Sequence, residues 1–212
     1  MGARHGTLTY KMFYVQGEIE DGWKEHYLQQ IIKNAFEPLT PDGEAEAADG
    51  WVPIDRPLHP DFDLYSVLYD HFINLGFRQD KYMIPAALLK AHVEEGEREY
   101  RLQNGKERLS KFEKEDIKTM VKRKLKEKQL PRMKVVDMSW DMRAGRVRFW
   151  SQSNNLCELF QEFFEDTFGL KLQPANPYTN ALQLELTPEQ VDDLGQLEPC
   201  TFIDPATIDS MN

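Results

Sequence analysis

The sequence predicts an α+β fold, with antiparallel sheets, helices packed on one face and a projecting helical hairpin. Three observations predict it. Stretches rich in β-branched and aromatic residues, such as Thr7–Val15 (TLTYKMFYV), read as strands. Apolar residues recur at helical spacing between them. The order strand, helix, hairpin, two helices, hairpin, helix contains no regular βαβ unit.

Residues 1–6 read as a frayed end. In the first strand, alternation puts Leu8, Tyr10, Met12 and Tyr14 on one face. Asp21 is placed to cap a helix from Gly22 to Phe36, with Leu28, Ile31, Ile32, Ala35 and Phe36 as its apolar stripe. Pro38 stops that helix. Residues 37–50 (EPLTPDGEAEAADG) are acidic and carry Pro and Gly, the composition of a mobile loop.

Trp51-Val52-Pro53-Ile54 returns the chain to the body, and Arg56–Asp63 is a proline-bounded loop. Phe72–Ile84 reads as a hairpin turning near Arg78–Asp80. Pro85 suits the first position of a helix reaching about Tyr100. Asn104-Gly105 is a turn into a second, basic helix that ends at Pro131, so the two helices form a hairpin.

Met133–Met142 and Arg146–Ser151 are strands joined by Arg143-Ala144-Gly145. Ser153 is placed to cap a helix whose face carries Leu156, Phe160, Phe163, Phe164 and Thr167, closed by Gly169. Leu170–Leu172 is a further short strand, and Thr187-Pro188 starts a last helix. The expected organisation is a body of residues 1–84 and 133–190, a hairpin of residues 85–132 and a tail of residues 191–212. A hairpin followed by a helix occurs at 72–100 and again at 133–169, the pattern of an internal repeat.

At 212 residues, 41% hydrophobic and 29% charged, the chain has the composition of a globular protein with a sizeable core. No apolar run reaches the roughly 18 residues of a membrane span, and no signal peptide is visible, so the expectation is a cytoplasmic protein. Cys157 and Cys200 fit no metal spacing and are expected to be free thiols, Cys157 buried. No cofactor or metal is expected.

The net charge of −10 conceals a strong polarity. Residues 101–150 hold 16 Lys or Arg against 7 acids, a balance of +9, while the remainder balances at −19. From Lys118 to Lys134 there are eight bases and one acid, Glu127. Ile117, Met120, Val121 and Leu125 form one apolar stripe, and the other faces are cationic. Such a helix is either a solvated surface or a footprint for a polyanion. Lys118, Lys122 and Lys126 share a row; Arg123, Lys124 and Lys128 broaden it. Arg132, Lys134, Arg143, Arg146 and Arg148 extend it toward the following hairpin, with Arg146 and Arg148 on one sheet face.

Several short motifs occur in one order: Trp51-Val52-Pro53, Ile84-Pro85, Glu113-Lys114 to Lys118, Leu130-Pro131-Arg132, the hairpin ending at Gly145, the helix after Ser153, and Asn176-Pro177 before Thr187. In this order over residues 7–190 the chain resembles the bacterial recombination-associated protein RdgC. The resemblance implies a non-catalytic, nucleoid-associated protein that binds duplex DNA without sequence preference as a ring-shaped homodimer and limits access of the RecA recombinase. The chain ends about where longer relatives begin a C-terminal third. It carries a one-turn insertion within Thr119–Gln129. It also has Met133 and Lys134 near a position where those relatives place a subunit-contacting Phe. These departures bear on ring closure rather than on DNA affinity.

Other functions leave weaker traces. An acidic protein-interaction module, a DNA mimic or docking factor, is the main alternative. A metal nuclease would draw on Asp137, Asp141 and Lys134. His59, Asp61, Asp63, Asp70 and His71 match no metal loop. Asn176-Pro177-Tyr178 reads as a turn. Trp140, Phe149 and Trp150 are placed either to stack on bases or to fill the core, and paired strands favour the core.

Overall fold

Alternation along the strands assembles a seven-stranded sheet whose one face is covered by helices, the expected α+β arrangement. The structure, a computed structural model, describes residues 2–3, 9–19, 22–43 and 45–197. In chain order the elements are β1 (Lys11–Gln16), α1 (Trp23–Lys33), β2 (Ala47–Val52), α2 (Leu64–Val67), β3 (Leu68–Tyr69), β4 (Phe72–Lys81) and α3 (Ala86–Asn104). There follow α4 (Lys111–Glu127), β5 (Arg132–Asp141), β6 (Arg146–Phe149), α5 (Asn154–Phe168), β7 (Lys171–Pro174), α6 (Pro177–Ala181) and α7 (Pro188–Gly195). The strand order is β2-β4-β5-β6-β1-β7, with β3 paired to β4. The longest pairing, β4 with β5, is antiparallel from Phe72↔Asp141 to Lys81↔Arg132. The chain divides into two compact units, residues 1–172 and 173–212. Thr7, Leu8, Asp21 and Cys200 lie outside the described residues.

The core is aromatic because α5 presents a ring at nearly every turn. Phe160 stacks on Phe149 of β6 with ring centroids 4.0 Å apart. Trp51 of β2 is fully buried against Phe77, Phe160, Phe163 and Phe168. Its indole N–H donates to Thr167 Oγ1 at 2.9 Å, and that hydroxyl donates to the Phe163 carbonyl. Thr167 thus satisfies a polar atom that would otherwise be buried without a partner. Trp140 and Phe149 are fully buried in this core, so neither presents a ring for stacking on bases.

Several expectations are corrected by tertiary partners. Phe72–Ile84 is not a hairpin: β4 runs straight through Arg78 and Asp80. The Arg78 guanidinium grips the Asp80 carboxylate through two hydrogen bonds of 2.9 and 2.6 Å, donates to the Pro57 carbonyl and lies over the Phe36 ring. Residues two apart on a strand share a face, so the pair closes on itself and a strand can carry it buried. With that hairpin the proposed repeat disappears.

On β1 Phe13 enters the main aromatic core, while Tyr14, on the face that alternation assigns to Tyr10 and Met12, is also buried. In α1 the buried residues are Tyr27 and Ile31, while Ile32 is half exposed. The helix stops at Lys33, because Ala35 forms a β-bridge with Trp51 and the Phe36 N–H bonds to Trp51 O at 2.9 Å. Residues 47–50, expected in a mobile loop, instead begin β2. Asn176-Pro177-Tyr178 opens the short helix α6, with Asn176 accepting the Thr179 N–H.

Gly50 makes the contact between β2 and the chain after α1 possible. A Cβ there would stand 2.3 Å from Phe36 Cα and 2.6 Å from Phe36 N, backbone atoms that have no rotamer to adopt. Gly50→Ala is therefore expected to lower stability by about 1–3 kcal/mol, the range for overpacking. An unchanged urea midpoint would contradict this close approach.

Candidate nucleic-acid interface

The cationic helix forms as its sequence suggests. Ser110 caps α4 by accepting the Glu113 N–H, and Glu113 reaches back to the Ser110 N–H at 2.8 Å. Glu113 also holds the Lys106 ammonium, and these bonds draw its carboxyl down to about 2, Lys106 contributing most. Gly105 closes α3 in the left-handed conformation at φ 60°. Ile117, Val121 and Leu125 form a small second core with Ile84, Leu89, Val93, Tyr100 and Leu109. Gly96 of α3 lies against this seam, where a Cβ would meet Ile117 Cγ2 at 3.1 Å.

The seam divides the cations of α4 between two flanks. Lys124 and Lys128 line a groove of about 400 Å³ between α3 and α4, opposite Glu95, Glu99 and His92. Both are exposed and make no ion pair among the described residues. Lys118 lies on the other flank, beside Glu115 of its own helix at 3.2 Å. The same flank meets the acidic loop. Lys122 Nζ is 2.8 Å from Glu46 Oε1, and Arg123 is 3.8 Å from Asp42 and from Glu127. The hydrogen bond from Lys122 holds the Glu46 carboxyl below its ordinary value.

Lys126 departs most from expectation. It is 5% exposed, and its ammonium donates to the carbonyls of Gly43 and Ala45 at 3.0 and 3.1 Å and lies over the Tyr82 ring. The row of Lys118, Lys122 and Lys126 is therefore not an open cationic face. Lys126 is a structural pin beneath a loop.

The sheet divides the remaining candidates. Val136, Met138 and Trp140 point into the core, and Arg132 and Lys134 continue that side of β5 at its exposed end. Consistently, the charges of Lys11 and Lys134 act on the Cys157 thiol of α5, which burial pushes up overall. Arg146 and Arg148 do share a face, as alternation implies. They alternate with Val147 and Phe149, which are buried in the core, so they occupy the opposite side of the sheet from Lys134. Arg143 sits in the β5–β6 turn, 3.8 Å from Asp70. The expected eleven-residue surface is thus a cationic helix plus separate groups on both sheet faces.

The nuclease candidates do not converge. Asp137 and Asp141 share the face opposite Lys134, roughly 13 Å apart at strand spacing. Asp137 accepts the Ala3 N–H at 2.7 Å, and Asp141 accepts the N–H groups of Arg143 and Ala144 in its turn. Among the described residues no His, Cys, Asp and Glu cluster is arranged to hold a metal. Asp63 caps α2, and Asp70 is bonded to His71. No described helix is long and apolar enough to cross a membrane.

Sequence reasoning missed the acidic partners Asp42 and Glu46 and the carbonyls of Gly43 and Ala45. The available signal was complementarity between the acidic stretch 37–50 and the basic stretch 118–134. No protein-family model matches this chain, and no curated protein matches it.

Two measurements check this geometry. Lys126→Met leaves two carbonyls without their donor and is expected to cost about 1–3 kcal/mol, read as a lowered urea midpoint. Glu113 has a folded-state pKa below its ordinary 4.5, so its contribution to stability is full above that value and is lost as pH falls toward about 2. The stability difference between the native protein and Glu113→Gln is therefore expected to be larger at pH 6 than at pH 3; equal differences would contradict the bonded carboxylate.

Proposed function

We propose that the chain binds duplex DNA through its phosphates, without sequence preference, and that α4 is the principal contact. The observation that carries this reading is the placing of Lys118, Lys124 and Lys128 on the two flanks of a helix anchored by its own apolar seam. From Lys118 to Lys128 the helix advances about 15 Å. Duplex DNA carries a charge about every 1.7 Å over that length, so lysines distributed in this way meet several phosphates without needing to read a base edge. The resemblance to RdgC supports the same substrate. It extends the proposal to a homodimer that covers DNA and so limits loading of a RecA-type recombinase. Localisation to the nucleoid would follow from such binding.

One observation favours a second reading. The exposed Lys122 and Arg123 flank already pairs with the carboxylates of an acidic stretch, as a docking surface for an acidic protein would.

Binding of a labelled random-sequence duplex, followed by fluorescence anisotropy at several salt concentrations, separates the two. Affinity is expected to fall steeply as salt rises and to be equal for unrelated sequences. Replacing Lys118, Lys124 and Lys128 together by Ala should lower affinity at least tenfold and flatten the log–log salt slope by about 2.7, the loss of three phosphate contacts. An unchanged slope overturns the assignment of α4. Absence of duplex binding, together with binding to polyglutamate, favours the docking reading. Mass in solution with and without the duplex reads the stoichiometry.

A further inference from the structure

The loop bearing Asp42 and Glu46 sets two carboxylates against cations of α4. Its ends are fixed by backbone bonds: Phe36 N–H donates to Trp51 O at 2.9 Å, and Tyr82 N–H donates to Glu46 O at 3.0 Å. Between those anchors Asp42, Gly43, Ala45 and Glu46 lie against one flank of α4. Lys126 holds the carbonyls of Gly43 and Ala45 from beneath, while Glu46 and Asp42 meet Lys122 and Arg123 above. The buried and the exposed contacts differ in kind. Lys126 is enclosed, so its bonds resist both solvent and competing ions. The Asp42 and Glu46 side chains are 81% and 56% exposed, and ion pairs in water are weak and screened by salt.

We infer that this loop is an intramolecular competitor, an acidic strap whose two carboxylates occupy Lys122 and Arg123 until a dense polyanion displaces them. The inference rests on the reading of α4 as a phosphate-binding helix and adds a form of regulation to it. Lys126 and Lys81 also act on the Glu46 carboxylate and belong to the same cluster. Two carboxylates at the ends of mobile side chains compete with a single small anion but yield to a polymer that presents many phosphates at once. The strap therefore sets a threshold: it lowers affinity for short or sparse anions more than for long duplex. Salt loosens the strap as well as the DNA contact, so the two effects partly cancel. The unmodified protein accordingly shows a shallower salt dependence than its cation content implies.

The test compares the full chain with Asp42→Asn/Glu46→Gln, an isosteric pair of changes on exposed side chains. The control is Glu158→Gln/Glu162→Gln, which removes the same charge from exposed positions on α5. Each is titrated with the same random-sequence duplex across a range of salt concentrations. The strap variant is expected to bind about tenfold more tightly at low salt. Its log–log slope should be steeper by about 0.9 to 1.8, as phosphates reach Lys122 and, in competition with Glu127, Arg123. The control should gain less than twofold with no change of slope. If the native chain binds and the strap variant gains no more than the control, the strap is overturned while DNA binding stands. If none of the three binds duplex at any salt concentration, both the strap and the underlying function are overturned.

Discussion

The first unit is organised by the need to bury one face of a curled sheet beneath helices rich in aromatic side chains. Phe149 stacked on Phe160, and Trp51 enclosed by Phe77, Phe160, Phe163 and Phe168, lock β2, β4 and β6 to α5 through ring contacts. Large rings bury much apolar surface per residue, and their edges and faces restrict how neighbours pack. Some of the polar groups carried in by the sheet are satisfied locally, while the buried Trp140 indole N–H has no hydrogen-bond partner among the described residues. Thr167 serves the Trp51 indole, and on the other side of the sheet Arg78 and Asp80 neutralise each other. A fixed sheet in turn fixes the end of β4, where Tyr82 bonds Glu46 and α3 departs.

The hairpin of α3 and α4 has a different source of order. Its seam is narrow, three buried apolar residues on α4 and no fully buried residue on α3. The caps at Ser110 and Gly105 and the Lys106–Glu113 pair supplement it. Lys126 then joins this second core to the loop before β2. A basic helix in a protein of net charge −10 therefore does not stand open on all sides. One flank faces solvent and the groove along α3. The other is matched by acids from the same chain, in exposed pairs at 2.8 and 3.8 Å whose attraction salt screens.

Much of this architecture was legible in the sequence. β-branched and apolar residues mark β5, alternation marks β6, Arg143-Ala144-Gly145 marks their turn, and the aromatic run of α5 ending at Gly169 shows period and stop together. The two hairpin helices and the Asn104-Gly105 turn were equally clear. The failures share a cause. Arg78 and Asp80 read as turn residues because their charges normally seek water, and only the bidentate pair and the Pro57 carbonyl make a buried strand acceptable. Residues 47–50 read as loop because Ala, Asp and Gly have low strand propensity, which pairing with β4 overrides. Ile32 looked like core at helical spacing, yet the register that buries Tyr27 and Ile31 turns it outward.

Taken alone, the sequence determined the fold class, the helical hairpin and the concentration of positive charge between residues 101 and 150, because periodicity and composition are local properties. Only the tertiary structure decided which of those charges face solvent. Lys122, Lys124 and Lys126 are chemically alike and adjacent on one helix. Yet Lys124 borders an open groove, Lys122 faces a carboxylate and Lys126 is buried beneath a loop eighty residues away in sequence. Likewise Lys134 and Arg146 lie on opposite sides of one sheet through the parity of their strands and the side that α5 covers. Charge availability depends on what the fold brings alongside, and a lysine's neighbours in the chain do not name its neighbours in space.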